Sequence, residues 1–157
     1  MNAEFRRAIL PKEIRSLVIF DHKAFPEYPT DWFDQDDWEA CEAWWMLVNH
    51  RKVGCCAFEL HVDFREYRKN PHLHGSLYIV TTGILPRLQG KGFGRLLKKW
   101  QLLYARRRGF TRVVTNTRKG NTPIIRLNKK FGFKVIRIAR NYYEDPREPT
   151  VVMERRL

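Results

Sequence analysis

The chain has 157 residues, 43% hydrophobic and 13% aromatic, with 30 Lys and Arg against 17 Asp and Glu and a net charge of +13. That length and composition predict one globular domain, residues 1–157, with a real core, and exclude a disordered chain. No apolar run approaches the roughly 20 residues that cross a bilayer, and the charged start MNAEFRRAIL is not read as a secretory signal, so no membrane is expected and the cytoplasm is the expected location.

Residues 4–10 read as a short first strand, at an edge. Pro11 suits the first turn of a helix, and Ile14, Leu17, Val18 and Asp21 recur at helical spacing, so residues 11–24 are predicted helical. Phe25-Pro26-Glu27-Tyr28-Pro29 breaks that helix. Thr30 or Asp31 is placed to cap a second one, with Asp34, Asp36 and Asp37 near its start, where the dipole favours acids. This acidic island reads as capping; its functional alternative is a lip that attracts a cationic amine.

Residues 43–48 and 53–62 read as a hairpin about the turn 49–52, with Gly54 marking a bulge or close packing. In a strand Cys55 and Cys56 point to opposite faces, and with Cys41 they give no CxxC spacing, so neither a zinc site nor a disulfide is predicted. Residues 63–75 read as an exposed loop. His72 and His74 lie in it without a third ligand nearby, so no metal is expected.

Leu77, Tyr78, Ile79, Val80, Thr81 and Thr82 read as a buried strand that ends near Leu85, because Pro86 cannot donate to a ladder. A helix follows the glycine-rich turn, with Leu96, Leu97, Trp100, Leu103 and Tyr104 on one face, ending near Arg108-Gly109. Residues 112–116 read as a strand and 117–121 as a turn. Thr122-Pro123 opens a helix with Ile124, Ile125, Leu127 and Phe131 as its apolar positions, closed by Gly132. Residues 133–139 and 150–155 read as the last two strands, with a loop over 140–149. The order β-α-α-β-β-β-α-β-α-β-β predicts an α/β fold with a mixed sheet and helices on both faces.

The turn carries the chemistry. Strand, glycine loop and helix N-terminus together make a phosphate site, because the first helical amides lack partners and the dipole is positive there. The turn reads Gln89-Gly90-Lys91-Gly92-Phe93-Gly94. It lacks the Gly-Lys-Ser/Thr of a Walker A loop and fails the GxGxxG spacing of a dinucleotide fingerprint. It resembles the Q/R-x-x-G-x-G/A loop of the GNAT superfamily of N-acetyltransferases. The resemblance covers essentially the whole chain and is strongest over residues 77–145. It includes Asn121 at the second motif and Leu127-Asn128-Lys129-Lys130-Phe131-Gly132-Phe133, similar to the family's hydrophobic-x-x-x-x-GF signature. Ala24-Phe25-Pro26 and Arg140-Asn141-Tyr142-Tyr143 further resemble ribosomal-protein-alanine and other protein N-terminal acetyltransferases.

The resemblance implies a mixed, mostly antiparallel twisted sheet, splayed where acyl-CoA binds. Backbone amides of Gln89 to Arg95 would hold the pyrophosphate of acetyl-CoA, with Lys91 and Arg95 adding charge. Backbone at Thr82, Gly83 and Ile84 would pair with pantetheine and face the thioester oxygen, and Asn121 would contact the pantetheine arm. Acetyl transfer also needs the amine deprotonated, at a pKa of about 8 for an α-amine and about 10.4 for lysine, and a proton for the leaving thiolate. Tyr78 aligns with a catalytic strand position of the family, and a core aromatic is the alternative reading. Asn116 stands where relatives carry a His or Glu base, and Asn128 where many carry a tyrosine acid. Neither asparagine takes or gives a proton at neutral pH, so ordered water held by Tyr78, Asn116 and backbone, or Tyr142, is the expected relay.

The reading is therefore an acetyl-CoA-dependent N-acetyltransferase, direct in a ternary complex, with no metal. The acceptor is a primary amine on a protein N-terminus or a small molecule, and the enzyme is a monomer or a homodimer. Two alternatives stay open. A basic nucleic-acid or ribosome-binding module is supported by the charge and by Arg106-Arg107-Arg108, but by no motif. A sensor that binds acyl-CoA without catalysis is the other.

Overall fold

The computed structural model describes residues 2–60 and 75–157. The predicted strand end at Val62 and the loop with His72 and His74 lie outside the described residues. Eleven regular elements follow in the predicted order: β1 (Glu4–Arg7), α1 (Ile14–Ala24), α2 (Gln35–Glu39), β2 (Glu42–Val48), β3 (Arg51–Leu60), β4 (Ser76–Ile84), α3 (Phe93–Arg107), β5 (Arg112–Arg118), α4 (Thr122–Lys130), β6 (Lys134–Tyr143) and β7 (Glu148–Arg156). The strands form one seven-stranded sheet in the order β1-β2-β3-β4-β5-β7-β6. β4 and β5 run parallel, while β1–β2, β2–β3, β5–β7 and β6–β7 are antiparallel. The fold is thus α/β with a mixed, mostly antiparallel sheet.

Two compact units divide the chain. The first comprises Met1–Phe58 and Val80–Leu97, the second Glu59–Ile79 and Lys98–Leu157. In the first, strand alternation sends Ala43, Trp45 and Leu47 of β2 and Cys55 and Ala57 of β3 into a core with Leu17, Phe20 and Ala24 of α1. Phe20 meets Trp45 edge-on with ring centroids 5.5 Å apart. The β2–β3 turn is shorter than predicted. Asn49 and His50 take φ of 50° and 61°, the geometry of a two-residue hairpin loop, and Arg51 already lies in the strand. Gly54 serves both predicted purposes. A register shift follows Met46↔Gly54, and an added Cβ would stand 2.7 Å from Ile84 Cδ1.

The helix caps also differ in place. α1 starts at Ile14, with Glu13 at its N-cap. Glu13 instead accepts from both Arg6 guanidinium nitrogens at 2.9–3.0 Å and from Ile9 N–H, which holds its carboxyl down to about 2. The second helix is capped by Asp34, not Thr30 or Asp31. Asp34 accepts from Asp37 N–H, and Asp37 accepts from Asp34 N–H, each at 2.9 Å, a reciprocal capping box. Two of the island's acids are thereby spent on helix ends.

In the second unit, β5 and β7 pair over seven residues, with Val114 and Val152 buried against Ile136. The strands predicted at 133–139 and 150–155 are longer: β6 runs to Tyr143 and β7 starts at Glu148, so the expected ten-residue loop is mostly hairpin. α3 buries a stripe rotated from the predicted one. Leu103 is exposed, while Lys98 and Gln101 are buried. Lys98 Nζ sits 5.1 Å over the Phe133 ring, so an aromatic face receives the cation. Both α3 and α4 end in a paired-bond cap at glycine: Gly109 N–H donates to Arg106 and Phe110 N–H to Ala105, as Gly132 does to Lys129 and Phe133 to Asn128, all near 3.0 Å.

One buried acid gives this fold a measurable pH dependence. Asp21 is 1% exposed, and its carboxylate accepts from Phe33 N–H at 2.9 Å. Burial outweighs that bond and pushes its pKa from 3.8 up to about 6. The protonated form is the one the fold favours, so this stabilisation is complete below the unfolded value and is lost as pH rises through 6. It amounts to about 3 kcal/mol. Asp21→Asn is therefore expected to be more stable than wild type at pH 7.5, with the gap closing towards pH 4. Thermal melts of both proteins across that range check this; parallel curves would contradict it.

Candidate active site

Two constellations collect the residues singled out by sequence, one in each unit. In the first unit, β4 leaves the sheet at Ile84 and a 3-10 turn, Pro86–Leu88, leads into the glycine turn. Gln89 Nε2 donates to Ile84 O at 3.1 Å, tying the turn back to the strand end. Gly90 and Gly92 have φ of 75° and 90°, the left-handed region, and nothing lies within 4 Å of a Cβ added at either. Glycine is there for backbone shape, over open space. Leu96 N–H donates to Gly92 O at 3.2 Å, the first bond of α3. The amides of Phe93, Gly94 and Arg95 thus precede any helical partner. α3 has no acid in its first turn, and Lys91 and Arg95 beside these amides are exposed. The geometry favours an anion.

Upstream, Thr82 and Ile84 are half-buried and Gly83 is buried. A Cβ on Gly83 would come within 3.2 Å of Ala24 Cβ and 3.3 Å of Phe25 Cε2. Glycine there lets β4 lie close against the end of α1.

In the second unit, the β4–β5 register runs from Ser76↔Arg112 to Ile79↔Thr115 and stops, although β5 continues to Arg118. At that point a polar network begins. The Tyr78 hydroxyl donates to Asn116 Oδ1. Asn116 Nδ2 donates to Thr150 Oγ1 at 2.9 Å and to Tyr143 Oη at 3.2 Å. Thr150 Oγ1, on a buried residue, donates to Thr117 O at 3.2 Å. Asn116 has spent its carbonyl on one tyrosine and its amide on the opposite side. The Tyr78 hydroxyl thereby has its proton directed at Asn116.

Arg118 braces this network. Its guanidinium is buried and donates to Pro146 O at 2.8 Å and Glu144 O at 3.0 Å, pairs with Glu148 at 3.3 Å, and lies 4.4 Å from the Tyr143 ring centroid. The arginine fixes the β6–β7 end that carries Tyr143.

The structure thus joins Tyr78 and Asn116 but leaves Tyr142 outside their network. Tyr142 is 56% exposed, and its neighbour Tyr143 supplies the inward hydroxyl. A register shift between Val135 and Arg137 sets two steps of β6 against one of β7 and resets the alternation, so parity counted from the start of the strand cannot say which tyrosine turns in. Thr150, Tyr143 and Arg118 were missed as site residues; the adjacent tyrosines were the one available signal. Asn128 is 1% exposed, with Nδ2 3.8 Å from Met153 Sδ and an Oδ1 that accepts no hydrogen bond among the described residues. Asn121 stands exposed at the N-cap of α4, and its side chain makes no capping bond.

The three cysteines are free and buried. Burial holds the Cys55 thiol well above its ordinary value, which makes it a poor nucleophile. Among the described residues no His, Cys, Asp or Glu cluster is placed to hold a metal, and no helix is long and apolar enough to cross a membrane.

A model of the acetyltransferase (GNAT) family matches residues 12–133. A mycothiol acetyltransferase from Saccharomonospora viridis is 30% identical over 118 residues, 74% of this chain and 36% of that protein. The chain therefore spans about a third of the length of this curated relative. Among solved structures, the ribosomal-protein-S18-alanine N-acetyltransferase from Escherichia coli superposes with a TM-score of 0.77 at 17% identity, covering 98% of this chain and 92% of that one. Ard1 from Thermoplasma volcanium gives 0.77 at 20%, covering 100% and 99%. A GNAT family acetyltransferase from Elizabethkingia anophelis with acetyl-CoA bound gives 0.70 at 18%, covering 99% of each. At such identities these likenesses concern the fold.

The polar network has its own structural test. Asn116→Ala removes the amide that joins three hydroxyls and is expected to cost about 1–3 kcal/mol. Urea denaturation measures it; a loss below experimental error would mean the hydroxyls satisfy one another without Asn116.

Proposed function

The chain belongs to the GNAT acetyltransferase family, and from that premise we propose that it transfers an acetyl group from acetyl-CoA to a primary amine by direct attack in a ternary complex. The observation that carries this reading is the open glycine turn before α3, with Gly90 and Gly92 in the left-handed region and nothing over them. Backbone amides from Gln89 to Arg95 bind the pyrophosphate, and Lys91 and Arg95 add charge. Backbone at Thr82, Gly83 and Ile84 pairs with the pantetheine arm, and Asn121, whose side chain is not spent on its own helix, holds that arm from α4. Acetyl-CoA supplies an activated thioester. The whole chain serves as one acyltransferase domain.

The amine arrives protonated and must lose a proton before attack. Tyr78, its own proton directed at Asn116, accepts a hydrogen bond from the amine or from a water beside it, and the proton itself leaves through that water to solvent. Asn116, Tyr143 and Thr150 hold that tyrosine in one rotamer. Near Thr82 to Ile84 a backbone amide faces the developing oxyanion. Asn128, a donor and acceptor but no acid, orients the leaving sulfur. Direct attack suits a chain whose cysteines are all buried. The acceptor is a protein N-terminus or a small amine; the names of the similar proteins include both a ribosomal-protein-alanine enzyme and a mycothiol enzyme.

Two substitutions separate donor binding from proton transfer. Tyr78→Phe is expected to lower kcat about 10- to 100-fold with little change in acetyl-CoA affinity. Gly92→Val, which forces a β-branched side chain to positive φ, is expected to weaken acetyl-CoA binding at least about tenfold. Steady-state kinetics on a panel of peptide N-termini and small amines, with calorimetric titration of acetyl-CoA, checks both. Unchanged turnover in Tyr78→Phe removes Tyr78 from the mechanism. Tight acetyl-CoA binding with no transfer to any amine would favour a sensor.

A further inference from the structure

A cleft of about 660 Å³ opens between α1 and the segment 32–35, a volume suited to a small ligand. All its lining residues belong to the first unit, and none belongs to the glycine turn or to β4. On the α1 side Pro11, Ile14, Val18 and His22 recur at the three- and four-residue spacing of one helix face. From Ile14 to His22 that face runs about 12 Å, so the cleft is elongated.

Its two ends differ. Along the floor Ile14 is buried, and Val18 and Phe33 are half-buried. At one end His22 stacks on Trp32 with ring centroids 4.0 Å apart, and Trp32 Nε1 donates to Phe25 O at 2.6 Å, so this wall is fixed. At the other end stand Lys12 and Arg15, exposed cations whose side chains make no ion pair or hydrogen bond among the described residues. The N-terminus of α1 lies there too. No side chain caps it and no acid stands in its first turn, so the helix dipole adds to the positive field. Glu13, at the N-cap, is spent on Arg6 and Ile9 N–H. Asp34, the acid of the lining, turns its carboxylate to its own helix, where it accepts from Asp37 N–H. Gln35 beside it donates its amide to Glu39 at 2.9 Å. What is left to meet a ligand is an apolar trough with two cations at its end. An alkyl carboxylate answers both, through a charge-assisted head and a buried chain. An inorganic anion would use the cations alone.

We propose that the cleft between α1 and residues 32–35 binds a medium-chain alkyl carboxylate, its head on Lys12 and Arg15 and its chain along Ile14 and Val18 towards the His22–Trp32 pair. This binding is independent of acetyl transfer and stands or falls without it.

Calorimetric titration of the full chain with decanoate at neutral pH, below its micellar concentration, tests it. One molecule is expected to bind per chain, and each methylene added from hexanoate to decanoate is expected to tighten binding about threefold. Decylamine, with the same chain and the opposite charge, is expected to bind at least about tenfold more weakly. The double variant Lys12→Gln, Arg15→Gln is expected to lose about tenfold for decanoate and nothing for decylamine. Val18→Ser is expected to lose about fivefold for decanoate while keeping the preference for the acid, which separates the trough from the charge. Circular dichroism confirms that each variant is folded, and either variant decides the matter should the other misfold. The methyl resonances of Ile14 and Val18 are expected to shift on binding, and saturating CoA should leave the affinity unchanged. Absence of binding, decylamine binding as tightly as decanoate, a double variant that binds like wild type, displacement by CoA, or shifts confined to other methyl groups would each overturn the proposal.

Discussion

An α-helix cannot satisfy its own first amides, and in this protein that obligation falls at the start of α3. The chain reaches α3 from β4 through a turn with two glycines at positive φ. The tie from Gln89 to Ile84 O holds the turn in place without covering those amides. No acid stands in the first turn of α3. What the helix lacks, an anionic ligand would supply. Gly83 packed on α1 and Gly54 packed on Ile84 fix the strand that delivers the turn. Three of these glycines lie in β4 and its exit, and Gly54 meets them from β3.

The second constellation has a different physical character. It is a closed hydrogen-bond network in which an amide, two phenols and a threonine determine one another's orientation. A carboxylate or imidazole at position 116 would titrate; asparagine gives fixed direction and no charge. The consequence is a tyrosine whose proton is committed to Asn116. Arg118 makes this durable, because a buried cation that is ion-paired and bonded to two carbonyls is costly to move. On the proposed mechanism, proton transfer depends on an oriented hydrogen-bond acceptor and on water rather than on a strong base.

Much of this was legible from residues alone. The element order was readable because Pro11, Pro86, Pro123, Gly109 and Gly132 punctuate the periodic segments where helices start and stop. The glycine turn was legible because Gly90, Gly92 and Gly94 alternate within six residues. Tertiary exceptions were not. Lys98 and Gln101 occupy the buried stripe of α3, where periodicity placed Leu103. Asp34 displaced Thr30 and Asp31 as the cap because those two residues lie in a 3-10 turn, Pro29–Asp31, instead. Tyr143 rather than Tyr142 faces inward because a bulge reset the strand's parity. Thr150 and Arg118 act through partners about 30 residues away in sequence, which no local pattern encodes.

The central claim is that the amides after Gly90 hold the donor's diphosphate. Titration of uniformly 15N-labelled protein with CoA, followed by amide resonances, tests it residue by residue. The largest shifts are expected at Gly90, Gly92, Gly94 and Arg95, saturating together with one dissociation constant. If CoA binds while those four amides stay in place, or if no resonance moves at all, the account of this site is wrong.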